Sequence, residues 1–263
     1  MVVSGHEVRA RALRLIYGSS LPHPSLMLLP PTRFALILGV VICCASALAA
    51  QTATFTGRVT EQANGQGVSG AVVVAEGNVT GTRVVVTDAQ GTYNLPFGAN
   101  SNIRIRPYKA TYTFSPLMVV HVTTGSAIFG TFSQDFSGSS FPVRIITMPP
   151  VLLTEDNSLN ALTLDGVVRT RDPFAVTNDH YFGSDKQTRL TLLLVDLDLY
   201  PNQGENLSMI SVQAQDAQSN TYTLVPEDLR KVPGFPWMSQ LTVRLPPEVS
   251  GVGETNVNVT FQG

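Results

Sequence analysis

The segment VVVTDAQGTYNLPF, residues 84–97, constrains the fold more than any other stretch of the sequence. Its β-branched run ends at Asp88, a four-residue turn closes at Gly91, and Tyr93 and Leu95 then alternate with polar residues. An Asp at the first turn position can accept hydrogen bonds from the backbone that follows, and a Gly at the fourth can adopt positive φ. The segment therefore predicts two strands joined as a β-hairpin.

Short strands of period two follow one another from residue 52 to about residue 137, and Gly- and Asn-rich turns separate them. A helical period is absent from this region. Apolar residues alternate with other residues in four segments, at Phe55, Gly57 and Val59, at Ala71, Val73 and Ala75, at Ile103 and Ile105, and at Met118, Val120 and Val122. About seven strands in about 85 residues predict a small β-sandwich.

Four segments of this region occur in a familiar order: GRVTEQANGQGVSGAVVVAEG, VVVTDAQGTYNLPF, YTFSPLMVVHV and FGTFSQDF. Their order and spacing resemble the carboxypeptidase regulatory-like domain family, whose members are prealbumin-like sandwiches common in exported bacterial proteins. The resemblance covers residues 52–137. It implies an accessory domain that has no catalytic residues of its own.

An apolar run, FALILGVVICCASALAA at residues 34–50, follows Arg33 and ends in small residues. Ala47 and Ala49 fit a signal-peptidase site, so the run predicts a signal peptide cleaved after Ala49. It is shorter than the roughly 20 residues that span a hydrocarbon core, and a retained membrane anchor is the alternative. The leader before it is long. A start at Met27 would be more ordinary and would leave residues 1–26 outside the natural product.

The predicted leader contains both cysteines, Cys43 and Cys44, and neither follows a small residue as a lipid-anchor cysteine usually does. The mature chain would then be stabilised by packed sheets rather than by disulfides. Cleavage also removes four of the 17 basic and one of the 19 acidic residues and leaves a net charge near −5. This charge argues against nucleic acid or an anionic membrane as a partner.

The second half of the chain contains the strongest strand, QTRLTLLLVDLDL at residues 187–199. It is apolar on both faces, with Leu190, Leu192 and Leu194 on one and Leu193, Val195, Leu197 and Leu199 on the other, which predicts a central strand. Further strands alternate at Ile210, Val212 and Ala214, at Tyr222 and Leu224, at Leu241, Val243 and Leu245, and at Val257, Val259 and Phe261. Together they predict a second sandwich.

Two segments are predicted to lie outside the regular strands, one as a loop and one as a linker. Residues 225–240 hold three prolines and the single tryptophan, which predicts a long crossing loop. Residues 138–160 are rich in Ser, Pro and Asn and carry one strand-like piece at 143–148, which predicts a linker with a leading strand.

The segments DPFAVTNDHYFGSDKQTRLTLLLVDLDLYPNQGENLSMISVQAQDAQSNTYTL and KVPGFPWMSQLTVRLP also occur together in a familiar pattern. They resemble a β domain that recurs near the C-termini of secreted proteins of Gram-negative environmental bacteria and to which no activity attaches. The resemblance covers residues 160–263. That pattern normally continues into one more apolar strand, so we expect a second sandwich truncated at Gly263, with an exposed edge that favours dimerisation or aggregation.

Several polar groups are candidate ligand sites. The run GQGVSG, residues 65–70, fits a dinucleotide-binding glycine pattern, but the β-branched residues after it predict a strand where that site needs a helix. Asp196 and Asp198 lie about 7 Å apart on one strand face, beside oxygen-bearing residues at 202, 203 and 205, and form either a solvated face or a calcium site. Asp179, His180, Asp185 and Lys186 form either a polar loop or a metal site.

Catalysis has no recognisable residues in this sequence. The mature chain keeps two histidines, His121 and His180, and lacks cysteine, G-x-S-x-G and H-E-x-x-H. His121 is predicted to be a half-buried or surface residue of a strand. Two aromatic clusters, Tyr108, Tyr112 and Phe114, and Phe235 and Trp237, serve either internal packing or glycan binding.

The sequence as a whole predicts an all-β protein: two consecutive Ig-like or prealbumin-like sandwiches after a signal peptide. The expected boundaries are residues 1–50 for the leader and signal peptide, 51–137 for the first sandwich, 138–160 for the linker and 161–263 for the second sandwich. We expect a non-catalytic spacer or adhesion protein, extracellular, on the cell surface or periplasmic, without a cofactor or metal. A protein or glycan is its expected partner, and a carbohydrate-binding accessory module is the alternative function.

Overall fold

The computed structural model describes residues 52–124, 126–141, 150–181, 184–197 and 207–261, together with the backbone of residues 6–15. Within these ranges nearly all regular structure is β, and the two helices are single 3₁₀ turns at Leu207–Met209 and Pro247–Val249. None of the described helices is long and apolar enough to cross a membrane. The all-β prediction is confirmed, whereas the predicted signal peptide at 34–50 and the strand-like piece at 143–148 lie outside the described residues.

The first sandwich follows a separate N-terminal strand, β1 (His6–Leu15). It comprises β2 (Ala53–Glu61), β3 (Val72–Gly77), β4 (Gly81–Val86), β5 (Thr92–Phe97), β6 (Asn102–Tyr108), β7 (Tyr112–Ser115), β8 (Val119–Val122), β9 (Gly130–Ser133) and β10 (Phe136–Ser140). One sheet has the order β5-β2-β10-β7, with β9 also paired to β2, and the other has the order β4-β3-β6-β8. The last two strands of this sandwich, β9 and β10, are short, and both run parallel to β2.

The core of this sandwich is built by the alternation that the sequence predicts. Phe55 and Val59 of β2 are buried against Ala71, Val73 and Ala75 at β3, and against Ile103 and Ile105 of β6. On β8 the alternation predicted from Met118, Val120 and Val122 marks the wrong face: Val119 and His121 are the inward residues, while Val120 and Val122 are exposed. His121 is half-buried, as predicted, and lies between Phe55 and Phe132 with ring centroids 5.1 and 5.3 Å away.

The predicted hairpin of residues 84–97 is wrong in its pairing, although its turn is correct. Asp88 Oδ1 accepts hydrogen bonds from the N–H groups of Gln90 and Thr92 at 2.9 and 2.7 Å, and Gly91 has φ +75°. However, β4 pairs with β3 and β5 pairs with β2, so the turn carries the chain from one sheet to the other. The local turn pattern determines where the chain reverses. The pairing depends on which distant strand supplies hydrogen-bond partners to the backbone N–H and C=O groups of β4 and β5.

The second sandwich comprises β11 (Val151–Leu152), β12 (Thr163–Asp165), β13 (Arg189–Val195), β14 (Ile210–Gln215), β15 (Thr221–Val232), β16 (Phe235–Arg244) and β17 (Gly253–Phe261). Its strand order is β1-β17-β14-β15-β16-β13-β11, with β12 also paired to β13. Residues 221–224 of β15 pair with β14, and residues 225–232 pair with β16. This long strand thus joins the two layers around one core, which includes Leu190, Leu192, Leu194, Val212, Leu224, Leu229, Leu241, Val243, Val257 and Val259.

The crossing loop predicted at 225–240 is wrong, because these residues form the β15–β16 hairpin. Its prolines lie where a strand tolerates them. Pro226 adjoins an irregularity in the ladder, and Pro233 occupies the turn, where Gly234 has φ +81° as in a type II turn. The proline content predicted a loop. Instead, the prolines mark the turn and the ladder irregularities of one hairpin.

Strand β13 is central, as predicted, since it lies between β16 and both β11 and β12. Leu193 and Val195 share the face opposite the core, also as predicted. The assignment of Leu197 to that same face is wrong: Leu197 is in the core cluster with Leu194. Asp196 has φ +66°, and this left-handed residue breaks the alternation of the strand. Leu199 lies outside the described residues.

The exposed edge predicted at the last strand is covered. β1 pairs antiparallel with β17, from His6 opposite Phe261 to Leu15 opposite Gly253, with a register shift between Ala10 and Leu13. The inward positions Val257 and Val259 of β17 are buried as predicted. Residues 6–15, predicted to lie outside the fold, provide the edge strand of the second sandwich in the full chain.

Candidate functional site

The two sandwiches meet at a buried interface formed by the outer face of β3 and β6 and the outer face of β13. We call its apolar centre the interdomain cluster: Val72, Val74 and Tyr108 from the first sandwich, and Val151, Leu153 and Val195 from the second. Leu193, Trp237 and Met238 pack around it. The sheet that contains β3 is consequently buried on both faces, by its own core on one side and by the second sandwich on the other.

Polar contacts surround the interdomain cluster. The N–H of Thr82 donates to Thr154 Oγ1 at 2.7 Å, and the Thr82 hydroxyl donates to the carbonyl of Leu152 at 3.1 Å. Arg83 Nη2 donates to Asn157 Oδ1 at 3.2 Å. These bonds hold the β3–β4 hairpin against residues 152–157, and the two bonds of Thr82 each involve a backbone group.

A buried ion pair crosses the same interface. Arg106 Nη1 lies 3.4 Å from Asp196 Oδ2, and the two side chains are 3% and 2% exposed. Arg106 Nε lies 3.5 Å from Glu76 Oε1. In the sequence of β6, Arg104 and Arg106 both alternate with the inward residues Ile103 and Ile105. Arg104 is exposed, and nothing in this local pattern distinguishes Arg106 from it. Only the second sandwich makes Arg106 an interior residue.

This ion pair also changes the interpretation of the predicted calcium site. Asp196, predicted as a solvated or calcium-binding carboxylate, is buried against Arg106. Its predicted companions Asp198, Asn202, Gln203 and Glu205 lie outside the described residues. Among the described residues, no group of three or more His, Cys, Asp or Glu side chains is arranged to hold a metal ion.

The predicted aromatic clusters fall into different environments. Tyr108 is fully buried in the interdomain cluster, with the Lys231 ammonium 5.9 Å from its ring centroid. Phe114 is in the first core and stacks with Tyr112 at 5.9 Å. Phe235 is 48% exposed and meets the edge of Trp237 at 5.8 Å. The three residues predicted as one cluster thus divide between an interface and a core.

An open groove of about 510 Å³ lies on the outer face of the second sandwich, and we call it the ion-pair groove. Its floor is made by β13 and β16 through Thr191, Gln240 and Thr242, and its walls carry charged residues and a tyrosine, which are Arg169, Tyr181, Arg189, Glu227, Asp228 and Arg230. The same sheet face carries the interdomain interface at its other end, at Leu193 and Val195.

Two arginines and two carboxylates form a closed network beside this groove. Arg189 donates to both oxygens of Asp185 at 2.8 and 3.0 Å, and to both oxygens of Glu227 at 2.9 and 3.2 Å. Arg244 donates to Asp185 at 3.3 Å, and its Nε lies 3.0 Å from Glu227. Arg189 and Arg244 are directly opposite on β13 and β16, where like charges repel, so the two carboxylates neutralise a repulsive cross-strand pair.

Tyr181 fixes the position of Arg189. Its hydroxyl accepts the N–H of Arg189 at 2.9 Å and lies 3.1 Å from the buried carboxylate of Asp165, while its ring centroid is 5.6 Å from the guanidinium. Burial raises the pKa of Tyr181. Asp165 in turn accepts the N–H groups of Val167 and Val168 at 2.8 and 2.9 Å. The groove therefore has a preorganised wall.

Within the network, Asp185 and Arg189 hold each other ionised. Hydrogen bonds from Arg189 lower the pKa of Asp185 to about 2, and the bond to Asp185, followed by that to Glu227, raises the pKa of the Arg189 guanidinium. With both arginines paired, the groove offers hydroxyl, amide and charge-assisted hydrogen bonds to a polar ligand. It presents no nucleophile paired with a base among the described residues that line it.

The remaining predicted positions take structural places. Of the loop group at 179–186, Asp185 joins the network, Lys186 Nζ donates to the carbonyl of Tyr181 at 2.5 Å, and Asp179 and His180 are exposed. The glycines of residues 65–70 are followed by a strand, β3, as predicted, and not by the helix that a dinucleotide-binding site needs. The sequence did not predict the network of Asp185, Arg189, Glu227 and Arg244. Glu227 lay in a predicted loop, and Arg244 is far from Asp185 and Arg189 in the sequence.

Comparison with known proteins identifies no family. No family model matches the chain, and no curated protein matches it. Among solved structures, the full-length major pilin SpaD from Corynebacterium diphtheriae aligns over 81% of this chain and 56% of its own, at 8% identity and a TM-score of 0.27. BcpA, the major pilin subunit of Bacillus cereus, aligns over 81% and 59%, at 11% identity and a TM-score of 0.27.

An enzyme also appears among the similar structures. 3-Chlorocatechol 1,2-dioxygenase from Rhodococcus opacus 1CP aligns over 35% of this chain and 62% of its own, at 10% identity and a TM-score of 0.28. The chain thus spans less than two thirds of the length of each of these proteins. At such scores the similarity carries no argument about this chain, and the resemblance to carboxypeptidase regulatory-like domains stays a prediction.

Proposed function

We propose that this chain is an exported, non-catalytic surface protein whose two sandwiches act together as a rigid spacer or adhesion module. The observation that carries the proposal is the interdomain interface. Interfaces between independently moving domains are usually polar. Here a buried apolar centre and a buried ion pair join the two sandwiches.

The size of this apolar centre supports a fixed arrangement. Its six buried side chains correspond to a burial free energy on the order of 10 kcal/mol, at roughly 1.5–3 kcal/mol for each large side chain. This is comparable with the stability of a whole domain, about 5–15 kcal/mol. The free energy needed to separate the sandwiches is therefore about as large as that needed to unfold one of them, as a rigid spacer requires.

Export and processing are the other part of the proposal. They rest on the apolar run at residues 34–50 and its small residues Ala47 and Ala49. Fractionation of cells that express the full chain should recover it outside the cytoplasm, with an N-terminus at Ala50 or within a residue or two of it. Recovery of residues 34–49 in a membrane fraction would contradict cleavage.

Rigidity can be measured on the processed protein, which has no cysteine of its own. Spin labels on cysteines introduced at the exposed residues Ala63 and Ala217 report the distance between the two sandwiches. We expect one narrow distance distribution. A broad distribution in a fully folded protein would contradict the spacer function. The predicted glycan-binding alternative has a separate test, a glycan array, and the burial of Tyr108 and Phe114 in an interface and a core removes one of its two candidate aromatic clusters.

A further inference from the structure

The outer edge of β17 is built to accept an antiparallel strand. In the full chain β1 lies there and pairs with eight of the nine residues Gly253–Phe261. Val8 and Ala10 are at register positions opposite Val259 and Val257. If the leader is cleaved after Ala49, β1 leaves with it and the backbone groups along this edge lose their partners.

The sequence of β17 offers no protection for such an edge. Natural edge strands avoid pairing with other chains through lysines, prolines, bulges or inward charges. GETNVNVTF has no lysine and no proline, and its one charge, Glu254, is near the start of the strand. Thr255, Val257 and Val259 are buried, and Asn256 is exposed.

We propose that the edge of β17 is the dimerisation site of the processed protein and pairs with β17 of a second copy. This inference rests on the proposed export and cleavage, and it assigns β1 the role of covering the edge until the leader is removed. Pairing through strand edges uses main-chain hydrogen bonds for affinity and the side-chain pattern for register.

The strand is self-complementary in the register that overlaps all nine of its residues. A twofold axis at Val257 places Thr255 of one copy opposite Val259 of the other, and Asn256 opposite Asn258. Every inward residue then stays on the core face, whereas a shift by one residue would move all of them to the other face. No like charges are opposed, and the contact is isologous, so it closes at two copies.

The register gives a charge-swap test. In the double variant Asn256→Lys, Asn258→Lys, each introduced lysine lies opposite a lysine of the second copy. In the double variant Asn256→Lys, Asn258→Glu, each introduced charge lies opposite its counter-charge. Both variants alter the same two positions, so thermal melts of both control for folding, and light scattering after gel filtration gives the mass.

We expect a dimer for the processed wild type, a monomer for the lysine–lysine variant and a dimer again for the lysine–glutamate variant. A synthetic peptide of residues 6–15, HEVRARALRL, should convert the wild-type dimer to monomer with one peptide bound. A wild-type monomer would overturn the inference, as would a dimer that both variants retain. Monomers of both variants would exclude β17 of a second copy as the partner strand.

These outcomes are separate from the proposed function. A processed, rigid protein that is monomeric would overturn the dimer site and leave the spacer function in place. An N-terminus that retains residues 6–15 on exported protein would overturn the cleavage on which both rest.

Discussion

Replacement of Gly81 by alanine should weaken the contact between the two sandwiches. Gly81 begins β4 with φ +72°, and a Cβ there would lie 1.9 Å from the carbonyl oxygen of Ser158 and 2.1 Å from Thr154 Oγ1. Neither partner can give way without moving residues 154–158 away from the first sandwich. Gly70 is a matched control, since it has the same φ of +72° and nothing within 4 Å of its Cβ position.

The expected magnitude follows from two contributions. The left-handed conformation costs an alanine about 1–2 kcal/mol at either position. At Gly81 the clash adds about 1–3 kcal/mol of overpacking, and loss of the two hydrogen bonds of Thr82 adds about 0.5–1.5 kcal/mol each. Gly81→Ala should thus destabilise the protein by about 2–6 kcal/mol more than Gly70→Ala does.

Calorimetry of the processed protein measures this difference, and the labels at Ala63 and Ala217 show its cause. We expect Gly70→Ala to lower the melting temperature while the distance distribution stays narrow. Gly81→Ala should lower it further and shift the mean distance, because residues 154–158 must move. Equal melting temperatures for the two variants, with the same distance distribution in both, would refute the inference that this hairpin packs against the second sandwich.

Four other changes test separate parts of the structure. Arg106→Leu leaves Asp196 buried without its arginine and should cost about 3–5 kcal/mol; a double-mutant cycle with Asp196→Asn that shows no coupling would contradict the pair. The lowered pKa of Asp185 means that its network stabilises the fold above pH 3.8 and loses this contribution as the pH falls to about 2, so the melting-temperature gap between wild type and Asp185→Asn should close over that range. Burial lowers the pKa of His121 below 6.5. Because the unfolded chain binds the proton more readily, the free energy of unfolding of the first sandwich should fall below pH 6.5 in wild type but not in His121→Phe. Gly91→Val should cost more than the roughly 1–2 kcal/mol of left-handed strain, because its Cβ would lie 2.2 Å from the carbonyl oxygen of Val59; an unchanged melting temperature would contradict this.

Outside β8 and the end of β13, alternation predicted the residues that face each core, because a strand with one buried face shows that face in every second residue. Val73, Ile105 and Val257 are buried for this reason. It could not predict which strands pair. The turn at Asp88 and the prolines of residues 225–240 have local causes, whereas the partners of β4, β5 and β15 are chosen by packing between distant segments. The charge network has the same limitation, since Arg189 and Glu227 become neighbours only through the β13–β16–β15 pairing.

The interdomain interface did have a signal in the sequence. Residues 71–75, AVVVA, are apolar without interruption, like the centre of residues 187–199. A strand that is apolar on both faces needs cover on both, and a two-layer sandwich covers only one. The first sandwich leaves the outer face of β3, at Val72 and Val74, without cover, and the second leaves the outer face of β13 at Val195. Two such strands in consecutive sandwiches can cover each other, so uninterrupted apolar strands, one in each domain, predict where the domains meet.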